Sequence, residues 1–333
     1  MEYKFLGKTG LKVSELVFGT QTFGWGADEK TAHAMADFYL GAGGNYFDTA
    51  NIYNEGVSES MLGSWIKKRG NRHSLIIASK VFFPVGDGPN DTGLSRKHIF
   101  QSIDESLRRL QTDYIDLYQL HCFDMSTTLD ETLRALDDIA HSGKVRYLGV
   151  SNYTASQLMK AITITKMNGL LPISALQAEY SLIVRSTEWE LLPLCVEEGL
   201  GFLAWSPLAG GWLTGKYTRD ANPPSDSRVG RRDRWDDQPE QRESELTWRA
   251  IDTLLKISKN RDKTPAQVAL NWVLNQPGVT APIIGARTLE QLKDNLRCTG
   301  WELSGDEADS LQKATKIPLP YPYSFIQRYT RRR

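Results

Sequence analysis

Eight short apolar runs recur along this chain, each separated from the next by a segment of helical spacing, and that alternation constrains the fold more than any other feature. The runs begin at Leu16-Val17-Phe18-Gly19, Asn45-Tyr46-Phe47, Leu75-Ile76-Ile77 and Ile115-Asp116-Leu117. They continue at Val145-Arg146-Tyr147-Leu148-Gly149-Val150, Ala175-Leu176-Gln177, Gly201-Phe202-Leu203-Ala204 and Thr280-Ala281-Pro282-Ile283-Ile284. Between them, residues 99–110 place Ile99, Ile103, Leu107 and Leu110 three and four apart, and 129–139 do the same, as one-sided helices require. Strands that alternate with helices pair in parallel. Eight of them is the number that closes into a barrel, and an open doubly wound sheet is the rival arrangement.

The expectation is therefore an α/β fold, a (β/α)8 barrel in which residues 1–333 form one domain; such barrels often reach this length without dividing. Residues 3–15 read as an N-terminal hairpin, Tyr3-Lys4-Phe5-Leu6 and Leu11-Lys12-Val13 around Lys8-Thr9-Gly10. Thr264 is expected to cap a helix that has Pro265 at its first position, and Gly143 to stop one. Two stretches break the rhythm: 82–92, rich in turn residues, and 210–242, rich in Gly, Pro, Asp and Arg. Both follow apolar runs, so both are expected to overhang the C-terminal face of the barrel.

Equal numbers of basic and acidic residues, 40 of each, leave no global field for nucleic acid or an acidic membrane surface. Arg331-Arg332-Arg333 reads as a solvated tail. Three scattered cysteines, Cys122, Cys195 and Cys298, fit a reducing compartment, and Cys122 lacks the surroundings that stabilise a thiolate. No apolar run nears the ~20 residues of a membrane span, and Met1-Glu2-Tyr3-Lys4-Phe5 has no signal-peptide core. A cytoplasmic protein that does not insert in membranes is expected. His73, His98 and His141 show no metal-ligand spacing and read as surface residues, so no metal site is expected.

Asp48, Tyr53, Lys80 and His121 each sit just past an apolar run, so closure of the barrel gathers them on the face where such folds place their active sites. A tyrosine with its reference pKa of about 10 is a poor acid near neutrality. A nearby lysine ammonium favours the phenolate, an aspartate fixes the lysine, and a histidine can orient a carbonyl oxygen by hydrogen bonding. Together they suit protonation of an oxygen while hydride reaches the attached carbon.

The chain also resembles the aldo-keto reductase family over nearly its whole length. Asn45-Tyr46-Phe47-Asp48-Thr49-Ala50 with Tyr53-Asn54-Glu55-Gly56 and Ser58-Glu59 is similar to the family's FDTAxxYGxGxSE stretch. Residues 107–121 resemble LxxLxxDYIDLYxxH, 143–152 resemble GKVRxxGVSN, and 177–181 resemble QxEYS. Residues 204–208 (AWSPL) and 213–217 (LTGKY) match the branch that includes potassium-channel β subunits.

Carried over by position, the resemblance implies NADPH-dependent reduction of an aldehyde or ketone, with Tyr53 as proton donor, Lys80 and Asp48 as its tuning partners and His121 as carbonyl orienter. It implies NADP(H) held without a GxGxxG loop, and none occurs here. Ser151, Asn152 and Gln177 fall where the family holds the nicotinamide carboxamide, and Trp205 where a ring stacks on the nicotinamide. Gly19, Thr20, Asp48, Ser206, Pro207, Leu208 and Gly285 fall at further cofactor positions, with Gly211, Lys216 and Arg228 as pyrophosphate contacts. Arg231, Arg232 and Arg234 read as solvated. Arg287 and Gln291 fall near the adenosine phosphate, which favours NADP over NAD, and Asp294 and Asn295 near the adenine. Many members carry Glu where this chain has the shorter Asp294.

The stretch from Phe18 to Trp25, with Phe82, Phe83 and Phe123, is expected to wall an aromatic pocket. A regulatory NADP(H)-binding subunit docked on a channel is the second functional reading. The intact histidine speaks against it, since the channel-associated branch tends to carry asparagine there, as does the lack of a long N-terminal extension. The substrate and the oligomeric state, homo-oligomer included, are left open.

Overall fold

Each of the eight apolar runs becomes a strand in the computed structural model, which describes residues 1–219, 224–225 and 242–330. After the hairpin strands β1 (Tyr3–Phe5) and β2 (Lys12–Ser14) come β3 (Val17–Gly19), β4 (Tyr46–Asp48), β5 (Ile76–Val81) and β6 (Ile115–Leu120). Then follow β7 (Val145–Ser151), β8 (Ile173–Glu179), β9 (Gly201–Trp205) and β10 (Val279–Ile284). The last eight pair in parallel and close in the order β10-β3-β4-β5-β6-β7-β8-β9. The result is the expected (β/α)8 barrel with its N-terminal hairpin; the doubly wound alternative is excluded by the β10–β3 pairing.

Period-two alternation divides the strands into an inner and an outer core. In β5, Ile76 and Ala78 point into the barrel, while Ile77 and Val81 face the surrounding helices. The inner core holds Val17, Tyr46, Leu117, Ala175, Leu203, Ala281 and Ile283 beside them. Leu6 and Val13 join from the hairpin, whose strands pair Tyr3 with Ser14 and Phe5 with Lys12. Lys8 N–H donates to Gly199 O at 2.8 Å just before β9, which seats the hairpin at the N-terminal mouth.

One inward step further along four strands, the layer turns polar: Tyr46 gives way to Asp48, Ala78 to Lys80, Leu117 to Gln119 and Ala175 to Gln177. All four polar side chains are buried. Gly149 of β7 leaves room for this layer, because a methyl group there would come within 3.0 Å of Gln119 Cγ.

Most of the described helices start where a short polar side chain satisfies a free backbone N–H group, as Asp28, Ser95 and Thr128 do, whereas the helix after Gly56 has no such cap. The helices include α1 (Glu29–Gly41), α2 (Val57–Arg69), α3 (Arg96–Leu110) and α4 (Leu129–His141). Thr264 accepts from Gln267 N–H at the head of Pro265–Leu274, as its sequence position predicts. Gly143, with φ 81°, follows α4 after the C-cap Ser142.

Among the expectations, His98 is corrected: it is buried in the first turn of α3, and burial lowers its pKa below the usual histidine value. Residues 82–92 form no helix or strand, as expected, while the second long stretch overlaps a 3-10 segment, Ala209–Thr214. Arg228, Arg231, Arg232, Arg234 and Arg331-Arg332-Arg333 lie outside the described residues. No helix among the described residues is long and apolar enough to cross a membrane.

Candidate active site

The four residues singled out at the strand ends meet on one face. Asp48 ends β4, Lys80 lies in β5, His121 follows β6, and Tyr53 opens the 3-10 turn Tyr53–Gly56 that leads into α2. The Lys80 ammonium donates to Asp48 Oδ2 at 2.5 Å, to the Thr49 carbonyl at 2.7 Å and to Tyr53 Oη at 3.2 Å. These use all three of its donors. Burial works against its charge, but the Asp48 carboxylate and Tyr53 outweigh that penalty and set Lys80 above its ordinary value. The lysine is therefore a fixed cation beneath a half-buried phenol.

His121 lies across from them. Its ring meets Tyr53 edge-on at 5.8 Å and Phe83 at 4.8 Å between centroids. Burial, and then the nearby Lys80 charge, hold it well below the usual histidine range. The imidazole is neutral at neutral pH and keeps one N–H to donate. Burial pushes the thiol of the neighbouring Cys122 up, away from the thiolate that a nucleophile needs.

Asp48 is anchored by groups that sequence reasoning only half located. Its Oδ1 accepts from Gln177 Nε2 at 2.9 Å and from Gln119 Nε2 at 3.2 Å. Gln119 was not anticipated, although strict alternation from Leu117 in β6 puts it inward at the level of Asp48.

The residues expected along the rim fall into two groups. Asn152, at φ 57°, donates to the His121 carbonyl at 2.9 Å and to Ser151 Oγ at 3.1 Å, and accepts from Trp205 Nε1 at 3.2 Å. That joins the ends of β6, β7 and β9. Ser206, also left-handed at φ 52°, accepts from Gly210 N–H, with Pro207 and Leu208 between them. A methyl group on Gly211 would come within 2.8 Å of Lys216 Nζ, so these two are neighbours. Gly19 pairs with Asp48 across β3 and β4, while the Thr20 hydroxyl is engaged with Ser58 Oγ and the Asp48 carbonyl.

The second group lies after β10. Arg287 N–H donates to Gln291 Oε1 at 2.9 Å, just before the helix Leu289–Leu296, whose N-cap is Thr288. Asn295 donates to the Gly285 carbonyl at 3.0 Å. Asp294 turns both carboxylate oxygens to Thr264 and Gln267, at 2.9 and 2.6 Å.

The aromatic wall is smaller than expected. Phe18 and Phe23 are fully buried and pack on each other at 5.7 Å, and Phe18 also packs on Tyr39 of α1. Alternation turns Phe18 outward once Val17 points in. Phe83 reaches His121, whereas Phe123 packs on Tyr153 at 5.2 Å.

An Asp–Lys–Tyr chain facing a histidine thus sits at the C-terminal mouth of the barrel. The Aldo/keto reductase family matches residues 15–316. This chain belongs to the aldo/keto reductase family. The uncharacterized oxidoreductase YrpG of Bacillus subtilis is 42% identical over 316 residues, covering 92% of this chain and 93% of that protein. A probable voltage-gated potassium channel subunit beta of Arabidopsis thaliana is 38% identical over 299 residues, covering 89% and 90%. Norsolorinic acid reductase of Aspergillus flavus is 32% identical over 330 residues, covering 95% and 81%. This aldo/keto reductase is accordingly an oxidoreductase acting on carbonyl groups, and its family implies a nicotinamide cofactor.

Proposed function

We propose that this protein is an NADPH-dependent reductase of aldehydes or ketones, a single barrel domain over residues 1–333 working in the cytoplasm, with Tyr53 as the proton donor. The observation that carries the reading is the 3.2 Å approach of a fully buried ammonium, Lys80, to Tyr53 Oη. A nicotinamide cofactor held at this mouth would supply the hydride for the carbonyl carbon. Tyr53 Oη gives its proton to the carbonyl oxygen, and the Lys80 cation stabilises the phenolate left behind. Asp48 keeps that cation in place, and Gln119 and Gln177 keep Asp48 in place. Neutral His121 donates a hydrogen bond that orients the carbonyl oxygen without competing as an acid.

The residues present suit the cofactor. Ser151, Asn152, Gln177 and Trp205 offer amide and hydroxyl groups plus a ring for the nicotinamide, and Gly211 and Lys216 suit the pyrophosphate. Gly19, Thr20, Ser206, Pro207, Leu208 and Gly285 would complete the cradle, with Asp294 and Asn295 toward the adenine. The choice of NADPH over NADH rests on Arg287, held by Gln291 at the start of an eight-residue helix. Exposed N–H groups at a helix start and a guanidinium both favour a phosphate dianion over a ribose hydroxyl.

The likeness to the plant protein named as a channel subunit supports a second reading, a cofactor-binding partner of slow turnover. Side-by-side NADPH and NADH consumption against a panel of aldehydes and ketones separates the two. Reduction that prefers NADPH, with the preference cut about tenfold in Arg287→Ala, is expected. Tight NADPH binding with no turnover on any carbonyl would favour the channel-type reading instead.

A further inference from the structure

The turn that carries Tyr53 is held in an unusual conformation. Asn54 and Glu55 have φ of 49° and 55°, and Gly56 has φ of 87°, so three consecutive residues are left-handed. Such a run persists only where its surroundings over-determine it.

A partly buried ion pair outside the catalytic quartet packs against this turn. The Arg109 side chain, from the last turn of α3, lies along Gly56. A methyl group at Gly56 would come within 2.7 Å of Arg109 Cδ and 2.9 Å of its Nε. Arg109 Nε donates to Glu59 Oε2 at 2.7 Å, and Glu59, in the first turn of α2, is fully buried. The other carboxylate oxygen, Oε1, accepts from Ser79 Oγ. Ser79 is the neighbour of Lys80 in β5, turned outward to α2 by the same alternation that turns Lys80 inward. One carboxylate therefore holds the Tyr53 turn through Arg109 and the Lys80 strand through Ser79.

We propose that Glu59 and Arg109 are positioning residues for proton transfer, which together fix the separation of Tyr53 Oη and Lys80 Nζ. The inference rests on the reading of Tyr53 as proton donor. A pair that only pinned α2 to α3 would contribute to stability and leave turnover alone. A pair that sets the donor distance acts on kcat and leaves substrate and cofactor binding unchanged.

The test uses the full chain with NADPH and an aldehyde that it reduces. It compares kcat, KM, NADPH affinity and melting temperature in Arg109→Lys, Ser79→Ala, the charge-neutral pair Glu59→Gln with Arg109→Met, and Tyr53→Phe. Arg109→Lys keeps the charge but loses the planar fork along Gly56. It is expected to lower kcat about tenfold with KM and NADPH affinity within about twofold, since small displacements of a reacting group are felt strongly. The neutral pair is expected to behave alike. Ser79→Ala removes one hydroxyl and leaves the ion pair intact, so it reports even if the other variants fail to fold, and a fall in kcat of a few-fold is expected. Wild-type kcat in Ser79→Ala and in any folded Arg109 variant, beside an inactive Tyr53→Phe, would overturn this inference alone. Wild-type turnover in Tyr53→Phe would overturn the proton-donor reading and this inference with it.

Discussion

Lys80 has no exposed surface yet remains charged, because Asp48, Thr49 and Tyr53 take its three protons in hydrogen bonds. Lys80→Met leaves a buried carboxylate unpaired, so a loss of about 3–5 kcal/mol is expected in chemical denaturation. Turnover should fall at least ~10²-fold. Pairing it with Asp48→Asn should return most of the stability and none of the turnover. His121 gives a pH prediction. Its folded pKa lies well below the unfolded value of about 6.5, so the unfolded chain takes up the proton first. Stability should therefore fall as pH drops below about 6.5, less steeply in His121→Asn, as denaturation at pH 7.5 and 5.5 would show. Over the same range the neutral imidazole gives no loss of turnover centred at pH 6.5. The quartet was legible because Asp48, Lys80 and His121 each end or directly follow an apolar run, and Tyr53 lies five residues past Asp48. Gln119, Ser79 and Arg109 were not, since only the facing of a strand or helix distinguishes them from ordinary polar residues. Phe18 and His98 were misplaced for the same reason: one turns outward to α1, and the other is covered where α3 begins.

Elements are fixed here chiefly at their ends. Gly305–Ala314 begins with a capping box in which Ser304 and Glu307 satisfy each other's backbone N–H groups, and Arg261 joins Glu307 through two nitrogens. Ser304→Ala should cost about 1 kcal/mol. Arg261, first, and then the Ser304 groups hold Glu307 down to about 2, against some loss to burial. Because that folded value lies below the unfolded one, the contribution is present above pH ~4.5 and is lost as pH falls toward 2. The acid transition should move to higher pH in Arg261→Ala; an unchanged midpoint would contradict the account. Caps such as Thr264 were readable because a short polar residue before Pro has a local meaning. The start of α2 was not, because left-handed Gly56 precedes it and no side chain caps it.

At the scale of the whole molecule, the barrel separates stability from chemistry along its axis. Leu6 and Val13 of the hairpin complete an apolar lower core, and the polar layer of Asp48, Lys80, Gln119 and Gln177 lies one inward step above it. Leu6→Ala should cost about 2–5 kcal/mol through the cavity it leaves, with kcat of the folded enzyme unchanged. The barrel itself was legible because eight alternating units admit few closures. What sits at its mouth was less so, since rim contacts such as Asn152 to His121 join segments far apart in sequence. The central claim, that Tyr53 delivers the proton beside Lys80, is tested most directly by single-turnover NADPH oxidation with an aldehyde in wild type and Tyr53→Phe. NADPH binding should be measured by fluorescence in the same samples. The account predicts NADPH bound as tightly and oxidation slowed about 10²- to 10⁴-fold. Oxidation within a few-fold of wild type would contradict it.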